Sequence, residues 1–239
     1  MRLSRRCQTR SKPRLVRSGI VALATALAAI TTLPASAASP AGAQFDQYRA
    51  ALAALSPVGN VVFEYAESRS GPTRTFTEQH RVYRGADGRE RDETLAVDGA
   101  PLVPAQVRFS EHDVWPYDVA QFAVDEADYS VLYIGPAVVD GRRALEFSTV
   151  RETTGDFAVT ALYIDPLRHL PLRETFAAQG SGCSGSGVID FAAIGRHWLA
   201  SSVSADCSVA GSQGAFRETI RFSAYQFPAV IPPDVLTAP

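Results

Sequence analysis

The chain has 239 residues, with 23 Lys and Arg against 25 Asp and Glu and a net charge of −2. The balance is uneven: seven basic residues and no acid fall within residues 1–37, leaving 16 Arg against 25 acids and a net charge of −9 for residues 38–239. Such a charge argues against nucleic acid or an anionic membrane surface as the main partner, and about 200 residues suffice for one domain with a real core.

Residues 1–37 read as a cleaved signal peptide. Arg2, Arg5, Arg6, Arg10, Lys12, Arg14 and Arg17 precede the apolar run GIVALATALAAITTL, and Ala35-Ser36-Ala37 supplies a small-x-small cleavage site. The run is too short and too rich in Ala and Thr for a membrane anchor. Arg5-Arg6 is followed by Cys7-Gln8 rather than by the apolar residue of a twin-arginine signal, and no Cys stands at the cleavage point to take a lipid. The expectation is therefore a single domain over residues 38–239, soluble in the periplasm or secreted, with no stable membrane insertion after cleavage.

Phe45, Tyr48, Leu52 and Leu55 recur at three- and four-residue steps, which predicts an amphipathic helix over Ala41–Leu55 ended by Ser56-Pro57. Strands follow: GNVVFEYAES, TRTFTEQHRVY, then RERDETLAV after a turn at Asp87-Gly88, and PLVPAQVRF after a turn at Asp98-Gly99. Trp115-Pro116-Tyr117 opens a short helix to Val124. Its aromatic residues read equally as ligand-stacking groups or as core. Four strands then form a meander over Tyr129–Phe176, turning at Asp140-Gly141, at residues 153–156 and at Asp165-Pro166. Asp-Gly between alternating runs is a strong hairpin signal. The run GSGCSGSG reads as a linker, and three more strands, GVIDFAAI, HWLASSVSADC and AFRETIRFSAYQF, bring the count to eleven.

Two-residue and four-residue turns set the meander registers: Ile134 opposite Phe147, Phe147 near Ala161, Tyr163 near Leu170. One face then gathers Leu132, Ile134, Leu145, Phe147, Val159, Tyr163, Leu170, Leu172 and Phe176, with Phe222 of the last strand joining it, while the other face is wetter. An antiparallel sheet this long must curl strongly or close. Cys183 and Cys207 lie equidistant from Gly195, the centre of a hairpin, so in an oxidising compartment they read as a cross-strand disulfide; a thiol pair or a metal site is the alternative.

Chemistry is sparse. His80, His112, His169 and His197 stand singly, without metal-ligand spacing, and the Gly-Ser run does not match the nucleophile elbow G-x-S-x-G. Glu90, Asp92 and Glu93, interleaved with Arg89 and Arg91, read as a solvated strand of alternating charge rather than as a paired-carboxylate site. No catalytic residue, metal or cofactor is expected.

The exported strand-rich chain, its leading helix, the hairpin VVDGRRALEF, the run LYIDPLRHLPLRETF and the closing FSAYQFPAVIPPDVL resemble the periplasmic lipoprotein-carrier superfamily, the LolA/LolB-like outer-membrane lipoprotein-sorting proteins. The resemblance implies an α+β, mainly β architecture: an incompletely closed antiparallel barrel of about eleven strands, with the N-terminal helix and a short second helix covering the concave face. It further implies a non-catalytic carrier of an acyl chain, lipid or acylated protein, with a cavity lined by Leu145, Phe147, Val159, Tyr163, Leu172, Phe176, Phe222 and Trp115. The Cys pair and the Gly-Ser run are not features of the main carrier. A second reading is a periplasmic interaction or envelope-stress sensor module with an envelope protein partner. A lipid hydrolase ranks below both. The segment Trp115–Val124 is the expected lid.

Overall fold

A computed structural model describes residues 40–112, 118–180, 183–208 and 214–238. One helix, α1 (Pro40–Ala53), precedes eleven strands in a single unclosed antiparallel sheet. These are β1 (Val61–Ser70), β2 (Thr75–Arg84), β3 (Arg89–Val97), β4 (Ala100–Glu111), β5 (Tyr129–Val139), β6 (Arg142–Arg151), β7 (Phe157–Ile164), β8 (Pro171–Gln179), β9 (Ser184–Ile194), β10 (His197–Ser208) and β11 (Ala215–Gln226). Their spatial order is β4-β3-β2-β1-β11-β10-β9-β8-β7-β6-β5. Two meanders thus meet where the last strand lies beside the first, with Tyr65 opposite Phe222. The edges are β4 and β5, consecutive in the chain. Their connection runs back to mid-sheet, where Asp118 bridges Leu199 of β10 and a 3-10 turn spans Val119–Phe122. That single turn stands where a short helix was expected.

The tight turns follow from backbone chemistry. Asp98-Gly99 and Asp140-Gly141 place both central residues at positive φ (49° and 79°, 48° and 78°), the requirement of the type I′ hairpin. Val139 consequently pairs with Arg142.

Register is where the alternation misleads. An irregularity between Tyr133 and Gly135 sets Tyr133, not Ile134, opposite Phe147, and leaves Leu132 and Ile134 65% and 55% exposed on the edge strand. Phe147 pairs with Leu162 rather than lying near Ala161, and Tyr163 pairs with Glu146 and Arg173 rather than with Leu170. A one-residue slip exchanges the faces. Leu162 and Ile164 therefore take the fully buried positions expected of Ala161 and Tyr163. An irregularity between Val159 and Ala161 restores Val159 to the buried face beside Phe176.

The Gly-Ser run is likewise not a linker. Ser184 onward is the start of β9, and its glycines permit close packing: a Cβ on Gly187 would collide with the Phe176 ring and the Ser204 carbonyl, one on Gly185 with the Asp206 carbonyl. Cys207 pairs with Gly185 rather than Cys183, because the hairpin turns between Gly195 and Arg196 rather than on Gly195 and a register shift between Ala200 and Ser202 adds a second residue of displacement. Cys183 and Cys207 still form a disulfide, with Cα atoms 4.9 Å apart. Non-reducing peptide mapping of exported protein will recover one linked peptide, and replacing both Cys by Ser will lower stability by about 3 kcal/mol, the chain-entropy value for a loop of this size; urea unfolding measures it.

Candidate functional site

Two apolar clusters occupy the buried face. The larger joins Val61, Phe63, Leu172, Phe176, Phe191, Trp198 and Phe222 across β1, β8–β11 and the connection; the smaller joins Phe45 and Tyr48 of α1 to Val124, Tyr129, Phe147, Val159, Leu162 and Ile164. The expected cavity residues are divided between them. Leu145, Phe147 and Val159 belong with α1, whereas Leu172, Phe176 and Phe222 lie in the larger cluster. Tyr163 turns to the other face and donates from its hydroxyl to Glu146 Oε1 at 3.1 Å. Trp115 lies outside the described residues. Phe147, Val159, Leu172, Phe176 and Phe222 are all 9% exposed or less.

One open pocket lies at the rim beside α1. A pocket of about 390 Å³ is bounded by Gly42, Phe45, Glu126, Val131, Leu132, Tyr133 and Phe147, between α1 and the β5–β6 edge. Its volume is at the lower end of the range for small-molecule sites. Beside it, β5 exposes Leu132, Ile134 and Val138. Alternation marks the apolar residues of this strand; only the edge position and the irregularity at Gly135 turn them outward.

Helix α1 is held over the smaller cluster by few polar contacts. Tyr48 accepts from Val124 N–H at 3.1 Å, and Arg49 donates to Glu126 at 3.1 Å. Burial of Phe45 and Tyr48 does most of the work, about 3–6 kcal/mol for two such side chains. Within the expected lid segment, Val119 and Val124 are buried and Phe122 packs between Phe157 and Phe191, while residues 115–117 lie outside the described residues.

Two buried polar features escaped the sequence reading. Glu174 of β8 is fully buried, and neither carboxylate oxygen has a hydrogen-bond partner among the described residues. An unsatisfied buried polar group costs about 1–3 kcal/mol. The other is a network on β1–β4. Asp92, 4% exposed, accepts from Tyr65 Oη at 3.2 Å, His80 Nδ1 at 2.9 Å and Arg108 Nη2 at 2.7 Å. A carboxylate only accepts, so Nδ1 carries the proton. The Tyr65 ring stacks on His80 at 4.3 Å. The expectation of a solvated strand thus fails at Asp92, because the inner face of this half is polar but covered.

Burial opposes ionisation of Asp92, yet hydrogen bonding and charge from His80, with Arg108 and Tyr65, hold its carboxyl below the usual range. Burial also favours neutral His80, but Asp92 and then Glu78 outweigh it and raise the imidazole above its ordinary value. A raised imidazole contributes stability that is complete below the unfolded value, about 6.5, and lost as pH rises through the folded one.

No protein-family model matches the chain, and no curated protein matches it. Solved structures of similar chain path are a DUF1329 family protein from Desulfovibrio piger, at 12% identity over 83% of this chain and 97% of that one (TM-score 0.46); a LolA superfamily protein from Nitrosomonas europaea, at 10% identity over 81% and 96% (TM-score 0.44); and a putative outer membrane lipoprotein-sorting protein domain from Vibrio parahaemolyticus, at 9% identity over 80% and 95% (TM-score 0.44). The ligand has to be argued from this chain's own residues.

Replacing Asp92 by Ala will destabilise the protein by about 3 kcal/mol, because it removes the buried carboxylate that His80, Tyr65 and Arg108 share. The stability difference between wild type and His80→Gln will be largest below about pH 6.5 and will shrink above it. Urea unfolding across pH checks both, and a pH-independent difference would contradict the assignment of His80 as protonated.

Proposed function

We propose that this chain is an exported, non-catalytic binding or carrier protein for an acyl chain or comparable apolar ligand, released into the periplasm by cleavage of residues 1–37. The ligand lies in the groove between α1 and the β5 edge. The observation that carries this reading is the 390 Å³ pocket itself, floored by Phe45 and Phe147 and walled by Val131, Tyr133 and the 65% exposed Leu132 of the edge strand. Apolar surface of that kind marks an interaction site. Each CH₂ moved from water into it is favourable by about 0.8 kcal/mol before ordering costs. The cargo is a lipid or an acylated protein, which presents its chain to the groove from outside.

The edge position of β5 favours a second reading: the same groove holds a segment of an envelope protein, and nothing is transported. An unpaired edge strand offers backbone hydrogen bonds to an extended peptide, which a fatty acid cannot use.

Titration with a fluorescent fatty-acid probe separates the two. The wild-type protein will bind the probe, and Leu132→Glu will weaken binding by about tenfold or more while its thermal midpoint is unchanged, because an exposed side chain contributes little to the core. A folded variant with undiminished affinity removes the groove from the acyl reading. Absence of binding by the wild-type protein favours the interaction module.

A further inference from the structure

Glu174 poses a problem that the groove does not answer. Its place in β8 alternates with Leu172 and Phe176, and its cross-strand neighbours are Leu162 of β7 and Ile189 of β9, each fully or almost fully buried. From above, α1 brings Tyr48, near enough for a charge on Glu174 to act on the phenol. The groups that face it are few. Tyr48 is the titratable residue of α1 there, and its hydroxyl already accepts from Val124 N–H. Tyr129 of β5 accepts from Val159 N–H. Both charged residues of α1, Asp46 and Arg49, are exposed, and the Arg49–Glu126 ion pair is at the rim. Among the described residues no cation or hydrogen-bond donor meets the Glu174 carboxyl. Gln44, one turn before Tyr48, also keeps its Oε1 buried without a partner.

We propose that docking of α1 over the buried face is controlled by the protonation state of Glu174: the neutral acid lets the helix seat, and ionisation uncovers the face to water. A carboxylate in this position has nothing to accept from and no charge to balance it. Hydration is its remaining source of stabilisation, and α1 is the element whose departure admits water. Helix α1 is also a separable layer: it precedes the sheet, makes no ladder with any strand, and packs on the buried face through side chains, chiefly Phe45 and Tyr48 with Ala51 and Leu52 at its margin. The strands beneath belong to continuous ladders.

The direction of the effect follows from linkage. Burial alone pushes the carboxyl well above its ordinary range. In acid the covered and uncovered states are both protonated. Above the ordinary carboxylate range the uncovered state releases a proton that the covered state retains, so covering weakens as pH rises. Tyr48 does not produce this response, because burial, with the Glu174 charge adding to it, raises the phenol still further from neutrality. The mechanism stands whether the groove takes an acyl chain or a peptide.

Hydrogen exchange of the purified protein, corrected for intrinsic rates, tests it. Between about pH 5.5 and pH 8.5 the amides of Phe45–Ala53 will lose about tenfold or more of their protection, while those of Phe157–Ile164 keep theirs. Glu174→Gln, which cannot ionise, will make α1 protection independent of pH. Tyr48→Phe, which leaves the acid in place, will keep the dependence. Wild-type α1 protection that is flat with pH overturns the proposal whether or not the Gln variant folds. So does a pH response that persists in Glu174→Gln, or one in which β7 opens together with α1.

Discussion

Pairing of the first strand with the last is the constraint on which the architecture rests. β1 and β11 lie side by side over most of their length, from Val62 opposite Gln226 to Ser70 opposite Arg217. Without that ladder the chain would be two separate sheets, one of four strands and one of seven, each with an extra bare edge. The pairing closes a contact across about 150 residues of chain, so its loop entropy is set against the whole fold rather than against any local turn. It also brings Phe222 against Phe63 and Tyr65, at ring separations of 6.1 and 6.3 Å, and so links the aromatic core of one meander to that of the other.

Once the sheet is joined, its two halves solve the covering problem differently. The β5–β9 half is lined by Phe147, Val159, Leu162, Ile164 and Phe176 and receives α1 and the connection, as an apolar surface requires. The β1–β3 half adds charge to its aromatic core. There the covering groups satisfy one another: Asp92 with His80, Tyr65 and Arg108, and Arg84 with the carbonyls of Gly88 and His112. Buried charge of this kind is tolerable because each carboxylate has donors, and it weakens sharply if one partner is removed. Glu174 is the exception, and its isolation follows from lying on the apolar half.

The unclosed sheet leaves β4 and β5 as edges, and an edge strand rich in apolar side chains is a liability unless something uses it. On β5 the apolar run meets a pocket partly roofed by α1, which gives the surface a shape as well as a hydrophobicity. Carrier and interaction module then differ in which property of the edge is used. An acyl chain needs only the apolar walls, whereas a peptide also takes the unpaired backbone groups.

Much of the fold is legible in local sequence. Eleven strands, the leading helix and the two Asp-Gly hairpins are written in periods and turn residues that need no partner to be read, since positive φ at Asp98 and Asp140 is a local requirement. The Leu172-Glu174-Phe176 alternation places the acid on the buried side in the same way. Pairing detail is different. Whether Ile134 or Tyr133 lies opposite Phe147 depends on the irregularity at Tyr133–Gly135, and whether Tyr163 or Leu162 faces the core depends on the β6–β7 register, details that no single strand announces. The Gly-Ser run reads as a linker until Phe176 and the carbonyls of β10 occupy the space that side chains would fill. The environments of Asp92 and Glu174 were decided by tertiary structure alone. Two acids of similar intrinsic chemistry become an ion-paired anchor and a carboxyl that burial holds against ionisation, without a partner among the described residues, because one strand lies beside His80 and within reach of Arg108 while the other lies between Leu162 and Ile189.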